Sequence, residues 1–144
     1  MVSQDLDRIE RELTIRLPGN YRALALTYPH GLGPSGPDYE LLDDPTQIVE
    51  LNRHYRERGF FGMSWPAHFF SFGGDGSGNA YYLDLRKEPS PVYFADHEAT
   101  LYGEQWPSLE AWLAEMIEQQ IAIDGEEREQ ARRRAHKRWW EFWV

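Results

Sequence analysis

The stretch Phe70-Ser71-Phe72-Gly73-Gly74-Asp75-Gly76-Ser77-Gly78-Asn79-Ala80-Tyr81-Tyr82-Leu83-Asp84-Leu85-Arg86 decides the fold. Its first part continues an aromatic run that starts at His68. Its middle is a turn-forming segment, and its last part alternates, with Leu83 and Leu85 on the face opposite Asp84 and Arg86. Aromatic and apolar runs separated by turn residues predict antiparallel strands. Pro91 to Ala95 supplies the next strand and Tyr39 to Leu42 a short one, while Leu32 to Asp38 is a Gly/Pro-rich loop.

Helical patterns flank this centre. Ser3 is placed to cap a first helix carrying Leu6, Ile9 and Leu13. Leu17-Pro18 opens a second, with Tyr21, Leu24, Ala25 and Tyr28 on one stripe, stopped by Pro29-His30-Gly31. Asp44-Pro45 caps a third, which carries Ile48, Leu51 and Tyr55 to Gly59. Pro107-Ser108 opens a fourth, with Leu109, Trp112, Leu113, Met116 and Ile117 on one face. Asp124-Gly125 predicts a break, followed by a last helix from Glu126 towards Trp143. The expected architecture is α+β, a single domain. A mainly antiparallel sheet is covered on one side by several helices, with an extra C-terminal helix. Residues 1–124 form the domain and 125–144 a basic, Trp-rich extension.

Composition narrows the function classes. A chain of 144 residues with 15% aromatics builds one core. It has no cysteine, which removes disulfides, thiolate metal sites and cysteine nucleophiles. No secretory signal or membrane-length apolar run is present, so a cytoplasmic location without membrane partners is expected. The net charge of −9 is uneven: residues 126–144 hold six Lys/Arg against four Glu, and the remainder holds nine against twenty Asp/Glu, or −11. An acidic body repels nucleic acid and attracts basic partners.

The glycine segment carries no nucleotide chemistry. A phosphate loop needs Lys then Ser or Thr after its last glycine, and here Asn79-Ala80 follow. A dinucleotide fingerprint needs a following helix, and here a strand follows. Asp75, Ser77 and Asn79 alternate like calcium ligands, but the sixth and twelfth loop positions hold Ala80 and Arg86 instead of Gly and Glu. No two of His30, His54, His68, His97 and His136 stand three or four apart, so no zinc site is written locally. His97, within Asp96-His97-Glu98, reads as a solvated loop residue. Trp65, Trp106 and Trp112 read as core. No metal, cofactor or catalytic residue is expected.

The segment Arg138-Trp139-Trp140-Glu141-Phe142-Trp143 interleaves basic and aromatic residues. Such runs bind single-stranded nucleic acid or lie at a membrane interface. The one-sided aromatic pattern and the acidic body favour docking back onto the domain or onto a second copy.

Several segments together resemble the SUKH superfamily, which includes fungal cell-wall-synthesis regulators and bacterial immunity proteins. Leu17-Pro18-Gly19-Asn20-Tyr21-Arg22 is similar to its Leu-Pro-x-x-Tyr segment at the second helix. Phe70 to Asn79, followed by Tyr82-Leu83-Asp84-Leu85, is similar to its glycine-rich hairpin and Asp-bearing strand. Pro91-Val92-Tyr93 and Ser108 to Leu113 are similar to its next strand and closing helix. His30-Gly31 departs from the family's frequent Asn-Gly, and the segment after Asp124 lies outside its usual pattern. The resemblance implies an α+β binding domain without catalytic residues, most often one that neutralises a secreted toxin by direct contact. A basic toxin surface, such as that of a nuclease, would meet exposed acids on the loops: Asp38, Asp43, Asp44, Asp75, Asp96, Glu98 and Glu104. The alternatives are a regulatory scaffold of the same fold, self-associating through Trp139, Trp140, Phe142 and Trp143, and a sugar-binding or carbohydrate-active domain.

Overall fold

The structure, a computed structural model, describes residues 1–27, 35–36, 39–99 and 101–141. The chain runs α1 (Ser3–Leu13), α2 (Gly19–Thr27), β1 (Ser35–Gly36), β2 (Tyr39–Leu41), α3 (Pro45–Arg58), β3 (Phe69–Gly74), β4 (Ala80–Asp84), β5 (Val92–Asp96), β6 (Leu101–Trp106) and α4 (Leu109–Glu141). The six strands form one antiparallel sheet in the order of the sequence. The glycine segment is the β3–β4 turn, as its residues require. The fold is the expected α+β architecture, with two strands beyond the sequence reading. β1 pairs with β2 from within the Gly/Pro-rich stretch, and β6 forms the far edge.

Both faces of the sheet are buried, with the helices packing mainly on one of them as expected. All five residues of β4 are buried, Asp84 included. One face packs Phe70, Phe72, Tyr81 and Leu83 against Leu6, Ile9, Tyr21, Ile48 and Trp112 of the four helices. Trp112 is wholly buried, its indole edge-on to Phe72 at 5.0 Å and 5.4 Å from Tyr81. The other face carries Phe69, Ala80, Tyr82, Tyr93 and Ala95, covered by Tyr55 of α3 and by Phe60, Met63 and Trp65 from the segment after it. That cover is irregular backbone, so it carries no periodic signature.

Local chemistry places the helices. Asp44 accepts a hydrogen bond from Thr46 N at 2.8 Å and Pro45 opens α3, as read from sequence. α1 starts one residue earlier than the Ser3 cap implied: Val2 is the cap, and its N–H donates to Asp5 at 3.0 Å. Glu10 ties α1 to α2 by accepting from Leu17 N at 2.8 Å and from Arg22 at 2.6 Å. Asn52, fully buried on α3, grips the irregularity in β3. Its Nδ2 donates to Ile48 O and Ser71 O, each at 2.9 Å, and its Oδ1 accepts from Ser71 N at 2.8 Å. A buried bulge thereby keeps its backbone groups paired.

The break expected at Asp124-Gly125 does not occur: α4 is one helix of 33 residues. A single helical glycine costs about 1 kcal/mol relative to alanine, too little to end a helix among Glu, Arg, Gln and Ala. Gln120 and Asp124 also bond across the approach to Gly125. Leu109, Trp112 and Met116 anchor the start of α4 in the core. From Gly125 to Ala135 every residue is exposed, so the second half projects from the body.

Candidate partner-binding face

The β3–β4 and β5–β6 turns lie at the same end of the sheet, because Ala80 pairs with Ala95. A relay of polar groups joins them. Asp75 Oδ1 accepts from Ser77 N at 2.9 Å and Asn79 N at 3.3 Å, and its Oδ2 accepts from Asn79 Nδ2 at 2.7 Å. With its amide nitrogen so engaged, Asn79 presents Oδ1 as an acceptor. It receives His97 N at 3.0 Å and lies 2.6 Å from His97 Nδ1, which makes Nδ1 the protonated nitrogen of the imidazole. His97 Nε2 faces Glu98 at 3.9 Å. Gly78, at φ 96°, passes so close that a Cβ there would sit 3.3 Å from the imidazole. His97 is therefore a built-in bridge between two turns, and the solvated-loop reading is corrected. The carboxylate of Asp75 is engaged by these N–H groups, and among the described residues no His/Asp/Glu cluster is arranged to hold a metal.

A third segment reaches the same end. Phe60 and Met63 close a two-residue turn with reciprocal backbone bonds of 2.8 and 2.9 Å. Its central residues, Phe61 and Gly62, have φ of 47° and 85°. Positive φ at both central residues is the hairpin geometry that Asn-Gly adopts readily. A bulky ring there costs on the order of 1 kcal/mol. Phe61 is nevertheless 59% exposed, its ring 4.9 Å from His97 and 5.0 Å from Phe60. A strained, exposed aromatic on a rigid base has the form of a binding anchor.

Beside these turns a groove of about 350 Å³ separates α3 from the glycine hairpin. Leu42, Gln47, Leu51 and Tyr55 form one wall, and Gly73 with Asn79 the other. It exists because β3 ends in two residues without side chains.

Residues 3–115 match the SMI1 / KNR4 family (SUKH-1). The chain belongs to that family. No curated protein and no solved structure matches it.

Within this SUKH-1 domain the acids named from sequence separate into groups. Asp75, Asp96 and Glu98 are brought together at the turn end, where Asp96 Oδ1 accepts from Glu98 N and Ala99 N. Asp43 and Asp44 are exposed at the start of α3, with Asp44 engaged as its cap. Glu104 lies farther along β6, opposite Tyr93 and within the field of Lys87. Asp38, Phe142 and Trp143 fall outside the described residues, and Trp139 and Trp140 lie in α4. Asp84, the acid of the β4 motif, is buried and structural. It accepts from the Arg86 backbone at 3.0 Å and from its guanidinium at 2.9 and 3.1 Å, which holds the carboxyl below its usual range against the opposing effect of burial. Phe61 carried no role in the sequence reading. Its only signal is a Phe standing where Asn normally precedes Gly in such a turn.

Among the described residues no helix is long and apolar enough to cross a membrane.

Proposed function

We propose that this SUKH-1 domain is a non-catalytic immunity-type protein that neutralises a cognate bacterial toxin by direct contact, in the cytoplasm of the producing cell. The observation that carries the reading is Phe61: an exposed ring held at positive φ against His97, beside two acid-bearing turns. The ring supplies the apolar anchor. The exposed Glu98 meets Lys or Arg of the toxin, with the half-buried, hydrogen-bonded Asp75 and Asp96 carboxylates adding to the negative field, which speeds encounter and rejects acidic surfaces. The groove beside the glycine hairpin takes a projecting side chain of the same partner. Membership of a family that includes immunity proteins and regulators, and the −9 charge of the chain, support a protein-binding role.

Co-expression with the toxin encoded beside its gene tests this. Rescue of growth by the native chain is the expected result, and absence of rescue overturns the reading. Phe61→Asp is expected to bind at least about thirtyfold more weakly, the loss of a hot spot worth roughly 2 kcal/mol or more.

A further inference from the structure

From Gly125 to Ala135 every residue of α4 is exposed, yet the sequence of the helix is not polar all round. At 100° per residue, Ile117, Ile121, Asp124, Arg128, Ala131 and Ala135 fall within one strip about 80° wide. The strip starts at Leu113 and extends to position 139. It lies to one side of the buried stripe of Leu109, Trp112 and Met116. Ile121, on the edge of the strip away from that stripe, is 65% exposed.

We propose that two copies of this chain pair through these strips, antiparallel, with residue i of one helix opposite residue 252 − i of the other. In that register Ile121 meets Ala131 and Ile117 meets Ala135, large against small on both sides of a two-fold axis. Asp124 meets Arg128 twice. The acidic first half of α4, with Glu110, Glu115 and Glu118, runs beside the basic second half of its partner. A parallel pair in register would instead set Asp124 on Asp124 and Arg128 on Arg128, a like-charge cost that the antiparallel pair avoids.

A separate observation leads to the same register. An apolar groove of about 280 Å³ lies between α2 and the start of α4, lined by Ala23, Leu24, Thr27, Leu109, Glu110 and Leu113. In this register position 113 stands opposite position 139 of the partner, a Trp. The register thus brings position 139 of each chain to the groove of the other. That position cannot reach the groove of its own chain. Position 139 is 26 residues along one continuous helix from Leu113, on the order of 40 Å away.

Light scattering on the full chain tests the pairing. A mass twice 16.9 kDa is expected, and a mass of 16.9 kDa at tens of micromolar overturns it, leaving the strip to a different partner. Asp124→Arg is expected to raise the dissociation constant at least about thirtyfold, because it places like charges together at both symmetric positions. Adding Arg128→Asp is expected to restore the dimer, and failure to do so contradicts the register. The chain has no cysteine, so Ile121→Cys and Ala131→Cys can be introduced singly. Oxidising a mixture of the two variants is expected to give a cross-linked pair. Cross-linking of Ile121→Cys to itself alone would indicate a parallel pair and overturn the proposal. Circular dichroism on each variant separates lost pairing from lost folding.

Discussion

The two halves of α4 share one secondary structure and have different reasons to be helical. In the first half, Leu109, Trp112 and Met116 are buried against Tyr21's neighbours and the aromatic sheet. In the second, residues 125–135 are all exposed, and the described ion pairs are Glu129 with Arg133 at 3.5 Å and with Arg132 at 4.0 Å. Exposed pairs at this spacing contribute about 0.3–0.5 kcal/mol each, and an isolated helix of this length is marginal in water. Tertiary burial holds one half, and the other is left with propensity and surface charge. A helix in that condition is the physical reason to look for a partner.

Removing the anchor gives the largest effect. Trp112→Ala is expected to cost about 3–5 kcal/mol, seen as a lower urea midpoint for the whole domain. Truncation after Asp124 is expected to leave that midpoint within the equivalent of about 1 kcal/mol when both chains are compared as monomers.

Buried and exposed carboxylates sharpen the same contrast. Asp84→Asn is expected to cost about 2 kcal/mol at pH 7, since a buried carboxylate loses its charged acceptor role. Arg86 itself is 64% exposed, so solvent screens the ion pair, and most of the loss lies in the hydrogen bonds. The sign of the pH dependence follows from the lowered pKa. Stability from Asp84 is full above the unfolded carboxyl value of about 3.9 and is lost as pH falls through the lower folded value. Urea titrations at pH 7 and pH 3 are expected to show the gap between native and variant shrinking. In the projecting half, Ala131→Gly is expected to reduce far-UV helicity, with a local cost near 1 kcal/mol and an unchanged midpoint for the body when compared as monomers. Glu129→Gln should change stability by no more than about 0.5 kcal/mol.

The sequence discloses what periodicity and turn chemistry encode. Asp44-Pro45 names its helix start, Leu109 to Met116 its buried face, and Gly73 to Asn79 its hairpin. The cover of the second sheet face was not legible, because Phe60, Met63 and Trp65 sit on irregular backbone without a repeat. β6 was missed because Leu101-Tyr102-Gly103-Glu104-Gln105-Trp106 lacks a clear alternation. Of the candidate acids, polarity located the exposed Glu98 and the half-buried Asp96. Only the pairing of Ala80 with Ala95 brings them beside Asp75. Phe61 was invisible because its importance lies in a dihedral angle and not in its type. Gly125 misled because a glycine weakens a helix without ending it.

The most direct measurement is growth rescue from the neighbouring toxin by the native chain and by Phe61→Asp, with both proteins shown by circular dichroism to be folded. Rescue by the native chain and its loss in Phe61→Asp is the predicted result. Absence of rescue by the native chain, or undiminished rescue and affinity in the variant, would contradict the assignment of this face.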